Sequence, residues 1–492
     1  MERLESRIIS RLESSAKEPV LWWQGEWWKG KDLEILVRSC TKSLERSGFS
    51  EGDRLAVLLP NSPMVLALSI ATWRLGGTIS TLNAKAGQRS LLGTLDLISP
   101  QAVVLSEDMG EMGDEILRAG FPVVQTPLGG PLPEYSGRTS EKSDPQLAII
   151  FATSGTTGLP KAVPLSHTNL IDNATKVFDF VEELEEGDVM INVLPNFHSF
   201  GYTVSGIMPL ICGMSQTILP NFMPPRATIE AMTASRVNDL VVVPAMLSFL
   251  MVSMKNTGLA VPESLKLIIT GGDRLNVQLD ERVRSAMGVG VLEGYGLTEC
   301  SPVVCVNPSY SRRKLGTVGP LIPGYEWQLR NMKGEPGGAS REGVLWVRGP
   351  SVGKEYYKAP ELTSERFDNS WFNTGDVVTM DEDGYVSILD RATDIIIVGG
   401  FNVYPQEVEA VLNQHSEISA GIAVGMPHPI NGEVVKAFVM RQEGSSVTER
   451  EIIDYCKKEL AHFKVPRKVE FLDSFPLSPT GKILRRKLSE KQ

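Results

Sequence analysis

Short apolar runs recur through the first part of the chain, each bounded by turn residues or by a segment of helical periodicity. They are Arg54–Leu59, Gln101–Leu105, Gln146–Phe151, Asp239–Pro244 and Leu265–Thr270. Runs this short and this rich in β-branched residues read as buried strands. Pro60-Asn61-Ser62-Pro63 ends the first, and the apolar positions from Val65 to Leu75 suit a helix packed on a sheet. Strands alternating with helices predict α/β layers.

At 492 residues the chain is too long for one hydrophobic core, so at least two domains are expected. After about residue 315 the texture changes to Gly-rich short strands, with Val344–Val347 and Tyr385–Leu389 as examples, and predicts a small β-rich subdomain. A boundary near Asp390-Arg391 divides an N-terminal domain, 1–390, from a compact α+β domain, 391–492. The last stretch is basic, with Lys464, Arg467, Lys468, Lys482, Arg485, Arg486, Lys487 and Lys491 outnumbering Glu470, Asp473 and Glu490.

The formal net charge of −10 argues against general nucleic-acid binding. Cys40, Cys212, Cys300, Cys305 and Cys456 form no CxxC pair, which disfavours disulfides or zinc and suits a reducing cytoplasm. The N-terminus lacks an apolar signal core. The stretch 189–225 carries no charge, but Pro195, Gly201, Gly206, Pro209 and Gly213 interrupt it too often for a transmembrane span. A buried core containing a pocket is the favoured reading, and shallow peripheral membrane contact stays open.

The sharpest signal is Thr153-Ser154-Gly155-Thr156-Thr157-Gly158-Leu159-Pro160-Lys161, directly after an apolar strand. Glycines allow close backbone approach to a polyanion, four hydroxyls add donors and Lys161 adds a point charge. Ala162 stands where a P-loop needs Ser or Thr, so this is a different phosphate cradle. Taken alone, the segment would also suit a Ser/Thr/Gly-rich surface linker.

Further motifs follow in order: Leu194-Pro195-Asn196-Phe197-His198, Tyr295-Gly296-Leu297-Thr298-Glu299, Asn373-Thr374-Gly375-Asp376, Arg391-Ala392-Thr393-Asp394 running to Glu409, and Ser478-Pro479-Thr480-Gly481-Lys482. With these in register the sequence resembles the adenylate-forming superfamily of acyl-CoA synthetases, luciferases and peptide-synthetase adenylation domains. The resemblance implies a large N-terminal domain of layered α/β subdomains with a β-rich subdomain, and a small mobile α+β C-terminal domain. It also implies ATP and Mg²⁺, with CoA as co-substrate.

The same resemblance implies the residue roles. The loop from Thr153 to Gly158, with Lys161, would hold the phosphates. Gly272, Asp273 and Arg274 would form the adenine-side segment, together with Glu293, Gly294, Tyr295 and Gly296, and Tyr295 would stack on the base. Thr298 would bond a phosphate and Glu299 would hold Mg²⁺. Asp376 and Arg391 would contact the ribose. Lys482 would stabilise charge on the pentavalent α-phosphorus as pyrophosphate leaves. After rotation of the small domain, Gly399, Gly400 and Phe401 would reach the thiol tunnel. Thr393 departs from the Asp or Lys usual at the hinge, and Asp390 and Ala162 replace customary glycines.

His198 would lie beside the substrate carboxylate, though a core histidine fits the sequence equally well. Amino-acid-activating members carry Asp at this position, so amino acids are disfavoured. Phe200, Tyr202, Val204, Ile207, Met208, Leu210, Met246 and Leu247 suit an acyl pocket slightly better than plain core. The segments 197–201 and 293–304 are most similar to fatty acyl-CoA and acyl-carrier-protein synthetases. That favours a medium- or long-chain fatty acid, with an aryl acid such as succinylbenzoate second. The acceptor is CoA or an acyl carrier protein. A non-catalytic nucleotide-binding regulator and a luciferase-like oxygenase are weaker readings.

Overall fold

The computed structural model describes residues 2–139, 141–153, 161–337, 341–429, 431–476 and 483–489. The chain divides into two compact units. The first holds residues 1–327, 347–372 and 382–386, and the second holds 328–346, 373–381 and 387–492.

Two sheets organise the first unit. One has six strands in the order Val123–Thr126, Ala102–Ser106, Arg54–Leu58, Thr78–Thr81, Leu147–Thr153 and Lys161–Ser166. All neighbours in it pair in parallel except the last two, which form an antiparallel hairpin. The other has eight strands, ordered Val303–Val306, Leu292–Gly296, Leu267–Thr270, Asp239–Val242, Val189–Asn192, Ser215–Ile218, Pro19–Trp23 and Glu26–Lys29. Its six central strands run parallel and only the two edge strands are antiparallel. The five apolar runs of the first part of the chain all fall within these elements to within a few residues.

The predicted helix after the first strand spans Pro63–Arg74 and buries every residue from Pro63 to Trp73. It starts on proline, whose missing N–H is harmless at a helix start. A helix apolar on all sides must sit inside a core; here the indole of Trp73 donates to the Ala148 carbonyl at 2.7 Å.

The uncharged stretch is buried from Gly201 to Ile218, while Pro195, His198 and Met223 within it are exposed. It forms the strand Val189–Asn192, a π-helix over Phe200–Ile207, a short helix Met208–Ile211 and the strand Ser215–Ile218. Among the described residues no helix is long and apolar enough to cross a membrane.

In the second unit, Phe401–Val403, Ile396–Val398, Gly432–Arg441 and Ile418–His428 form a sheet, and Lys468–Phe471 adds to it in parallel. The helices Pro405–Leu412 and Glu449–Glu459 contribute Val408, Leu412, Ile452 and Cys456 to its core. The expected strands around Val344–Val347 and Tyr385–Leu389 are present as Glu342–Arg348 and Val386–Arg391. The mixed α/β architecture, with a large N-terminal domain and a separate C-terminal domain, is as expected.

Candidate active site

Parallel strands deliver the segments that follow them to one edge, and open α/β sheets bind ligands outside the carboxyl ends of their strands. The candidate residues of the first unit follow this rule. His198 comes after Val189–Asn192, Gly272 to Arg274 after Leu267–Thr270, and Thr298 and Glu299 after Leu292–Gly296. The phosphate-loop candidate comes after Leu147–Thr153.

Thr153 and Lys161 face each other as the closing pair of the antiparallel hairpin, and the Thr153 hydroxyl donates to the Lys161 carbonyl at 3.4 Å. Ser154, Gly155, Thr156, Thr157 and Gly158, between them, lie outside the described residues, as does Lys482.

A buried amide network shapes the His198 segment. The Asn61 side chain donates to the Leu194 carbonyl at 2.7 Å, and its oxygen accepts the Asn196 N–H at 2.8 Å. Asn192 donates to Gln216 at 2.8 Å, and Gln216 donates to the Gly206 carbonyl, inside the π-helix, at 3.0 Å. The side chains of Asn61, Asn192, Asn196 and Gln216 are all buried. Such networks hold one backbone path because each unpaired amide would carry a desolvation penalty. At the end of that path His198 is exposed, which removes the core-histidine alternative. Its Nδ1 accepts the Phe200 N–H at 3.2 Å, so in the neutral imidazole the proton sits on Nε2. The adjacent Ser199 hydroxyl lies 3.1 Å from the Thr298 hydroxyl.

The acyl-pocket expectation needs correction. Tyr202, Val204, Ile207, Met208, Leu210 and Leu247 are sealed core side chains with no more than 2% exposure. The Tyr202 hydroxyl is satisfied by Ser69 at 2.8 Å. Phe200 is half-buried and Met246 is 9% exposed, so only these two remain candidates for a lining. The sequence could not separate core from lining, because both are apolar.

Glu293, at the start of the next motif, reaches back to the adenine-side segment. Its Oε1 accepts the Leu275 N–H at 2.9 Å. Burial pushes its carboxyl up to about 7; the Leu275 N–H and Arg274 oppose this, and Asp273 adds to it. The folded state therefore holds a proton that the unfolded chain has lost above about pH 4.3, its ordinary range. Stability must fall as pH rises from there to about 7. Glu293→Gln should flatten that slope, worth up to about 3 kcal/mol, in urea unfolding near pH 5 and near pH 8. An unchanged slope would show that another group carries it. Tyr295 lies opposite Cys305 in the antiparallel pair, and Gly294 opposite Val306.

Thr298 and Glu299 lie on a single 3₁₀ turn, Thr298–Cys300. The Glu299 Oε1 accepts the hydroxyl of Tyr356 at 2.6 Å, and the Lys161 ammonium stands 5.7 Å from the centroid of the Tyr356 ring. Burial, with Glu299 adding to it, pushes the Tyr356 phenol up from its ordinary range, so it stays a donor. Sequence reasoning missed Tyr356. Its local signal is weak, one of two adjacent tyrosines in the charged run Lys354-Glu355-Tyr356-Tyr357-Lys358, and its partners are far away in sequence.

The remaining candidates belong to the second unit. Asp376 is buried, and Arg391 Nε meets its Oδ1 at 2.7 Å. The motif residues around Asp376 make the local turn: Asn373 accepts the Gly375 N–H at 2.9 Å, and Thr374 accepts the Asp376 N–H at 3.1 Å. Asp390 accepts the N–H groups of Arg391 at 2.8 Å and Gln406 at 3.0 Å, tying Arg391 to the start of the helix Pro405–Leu412. Thr393 donates to Asp394 at 3.1 Å. Gly399 and Gly400 form the two-residue turn of the Ile396–Val398/Phe401–Val403 hairpin, with φ of +58° and +88°. Tight hairpins of this kind require positive φ at both central positions, which explains the glycine pair on conformational grounds alone. Phe401 is 59% exposed and stacks on Phe463 at 4.8 Å.

A cluster of three or more metal-binding side chains is absent among the described residues. The chemistry of the donors still fits Mg²⁺ carried by a nucleotide, because that ion keeps its waters and takes one or two carboxylates plus phosphate oxygens. Glu299 supplies such a carboxylate.

Comparison with known proteins identifies the family. The chain is 29% identical to a long-chain-fatty-acid–CoA ligase of Yersinia pestis, over 99% of this chain and 94% of that one. It is 32% identical to a 2-succinylbenzoate–CoA ligase of Geobacillus kaustophilus, over 91% and 89%. The crystal structure of ATP-bound MatB from Rhodopseudomonas palustris superimposes with a TM-score of 0.87 at 29% identity, covering 100% of this chain and 99% of that one. The family model described as AMP-binding enzyme matches residues 10–357, and that of the AMP-binding enzyme C-terminal domain matches 407–482. With both models matched in order, the chain belongs to the AMP-binding, adenylate-forming enzyme family.

Proposed function

We propose that this enzyme is an acid–thiol ligase acting on a medium- or long-chain fatty acid. The carboxylate oxygen attacks the α-phosphorus of ATP, the bond to the β-phosphate oxygen breaks and pyrophosphate leaves. The CoA thiol then attacks the acyl carbon of acyl-AMP, losing its proton as AMP departs. The observation that supports this reading is that Tyr356 joins Lys161 to Glu299, its hydroxyl on the Glu299 carboxylate and its ring 5.7 Å from the Lys161 ammonium, while Thr298 shares the Glu299 turn. The Lys161 ammonium and the Thr153–Gly158 loop bind phosphate, and the Thr298 hydroxyl adds a donor. Glu299 would hold Mg²⁺, which when bound neutralises phosphate charge. Asp376 and Arg391 orient the ribose, and Lys482 acts on the developing charge at phosphorus. His198 faces the acid carboxylate. Rotation of the C-terminal domain, 391–492, then exchanges Lys482 for Gly399, Gly400 and Phe401 at the site. Five buried free cysteines suit a reducing cytoplasm.

The names of the curated relatives support the fatty acid, and the closed core behind His198 favours a second reading, a compact aryl acid of the succinylbenzoate type. A panel of fatty, aryl and amino acids, scored by pyrophosphate release with CoA, acyl carrier protein or no thiol, tests both. Release and thioester formation with fatty acids and CoA are expected, without response to amino acids. Activity confined to aryl acids would select the second reading, and activity confined to the carrier protein would replace CoA.

A further inference from the structure

We propose that Tyr356 is a positioning residue for the adenylation half-reaction: its hydroxyl aims the Glu299 carboxylate and its ring face holds the Lys161 ammonium. The inference rests on the reading of Glu299 as the Mg²⁺ ligand and Lys161 as a phosphate-binding cation.

Tyr356 is 3% exposed, and its hydroxyl meets Glu299 at 2.6 Å. A hydrogen bond to a carboxylate at that length is of the charge-assisted kind. The Lys161 ammonium, 5.7 Å from the ring centroid, is inside the range of cation–π attraction. One side chain thus touches both the anion and the cation that the site needs.

The backbone around Tyr356 is tied to the same two places. Gly353 N–H donates to the Glu299 carbonyl at 2.7 Å, and Tyr357 N–H donates to the carbonyl of Ala162, next to Lys161, at 2.8 Å. The Tyr356 N–H donates to the Thr363 hydroxyl at 2.9 Å, and the ring meets Phe367 edge-on at 5.9 Å. Beyond it, the Tyr357 hydroxyl accepts from the buried Arg54 guanidinium at 2.9 Å. The segment 353–357 therefore links the return strand of the phosphate-loop hairpin to the 3₁₀ turn carrying Glu299. A metal-binding carboxylate whose other contacts are fixed keeps its orientation, and losing such an outer partner typically lowers metal affinity about 10–100-fold.

The test uses Tyr356→Phe, which keeps the ring, and Tyr356→Leu, which does not. ATP binding is followed by calorimetry across a Mg²⁺ titration, with circular dichroism confirming the fold. Tyr356→Phe should raise the Mg²⁺ concentration for half-maximal ATP binding about tenfold and leave affinity at saturating Mg²⁺ nearly unchanged. Tyr356→Leu should weaken ATP binding even at saturating Mg²⁺, because Lys161 loses its seat. In a Glu299→Gln background Tyr356→Phe should add nothing. If Glu299→Gln shifts the Mg²⁺ requirement and Tyr356→Phe does not, or shifts it equally in both backgrounds, the positioning role is overturned while the reading of Glu299 survives. If Glu299→Gln itself leaves the requirement unchanged, that reading falls and takes the inference with it.

Discussion

Lys482→Ala should slow acyl-AMP formation by about 10²–10³-fold while leaving thioester formation from added acyl-AMP nearly intact. The expectation comes from where charge develops. As the carboxylate adds to the α-phosphorus, the pentavalent centre gathers negative charge that neither ground state carries to the same degree. A positioned ammonium lowers that barrier electrostatically, and removing it raises the barrier for this step alone. Transfer to the thiol passes through a tetrahedral carbon, away from the phosphorus chemistry. The residues before Lys482, Pro479-Thr480-Gly481, are of turn-forming type and suit delivery of its side chain. Pyrophosphate exchange into ATP measures the first half-reaction, and thioester formation from synthetic acyl-AMP measures the second. Equal losses in both would assign Lys482 to general binding or folding instead. A loss in thioester formation alone would reverse its role.

What could be read from the sequence divides along the range of the interactions involved. The buried strands were legible because their signal is local: Leu55–Leu59 and Leu240–Val243 are unbroken apolar runs, each ended by a proline. Lys161, Thr298 and Glu299 were legible as candidates through residue types suited to a charged ligand. The antiparallel hairpin around the candidate phosphate loop was not, because pairing of Thr153 with Lys161 depends on register and not on composition. The π-helix at Phe200–Ile207 escaped for a related reason. Its irregular period is held by Gln216 on the Gly206 carbonyl and by Asn61 on the preceding segment, partners that no local window contains. Tyr356 is the extreme case, with its meaning residing in Glu299 and Lys161, remote along the chain. The Gly399-Gly400 pair shows the opposite hazard. A role in passing a slender substrate arm explains two glycines, but so does the turn they make, and only the first explanation concerns function.

Gly296→Ala is expected to unsettle both the fold and the nucleotide site, and the reason is steric. A Cβ at this position would lie 2.2 Å from the Pro302 carbonyl oxygen, 2.8 Å from its carbon and 3.1 Å from the Val303 Cα. All three are backbone atoms, so no side chain can swing aside. Nor can the opposing arm retreat freely. The Pro302 carbonyl accepts the Leu297 N–H at 2.8 Å. The buried Asn173 side chain donates to the carbonyls of Cys300 at 3.1 Å and Val303 at 2.8 Å, and accepts the Val303 N–H at 3.1 Å. The strain must therefore be relieved by shifting the strand end that carries Tyr295, Thr298 and Glu299. Overpacking of this kind costs about 1–3 kcal/mol, and the displaced turn should weaken ATP binding in step. Gly110→Ala is the matched control: it is the exposed first residue of the helix Gly110–Arg118, and its added methyl would meet nothing within 4 Å. The control should move stability by less than about 0.5 kcal/mol in urea unfolding and leave ATP affinity alone. If Gly296→Ala matched the control in both measurements, the turn would have to be compliant, and the rigid placement of Thr298 and Glu299 would lose its physical basis.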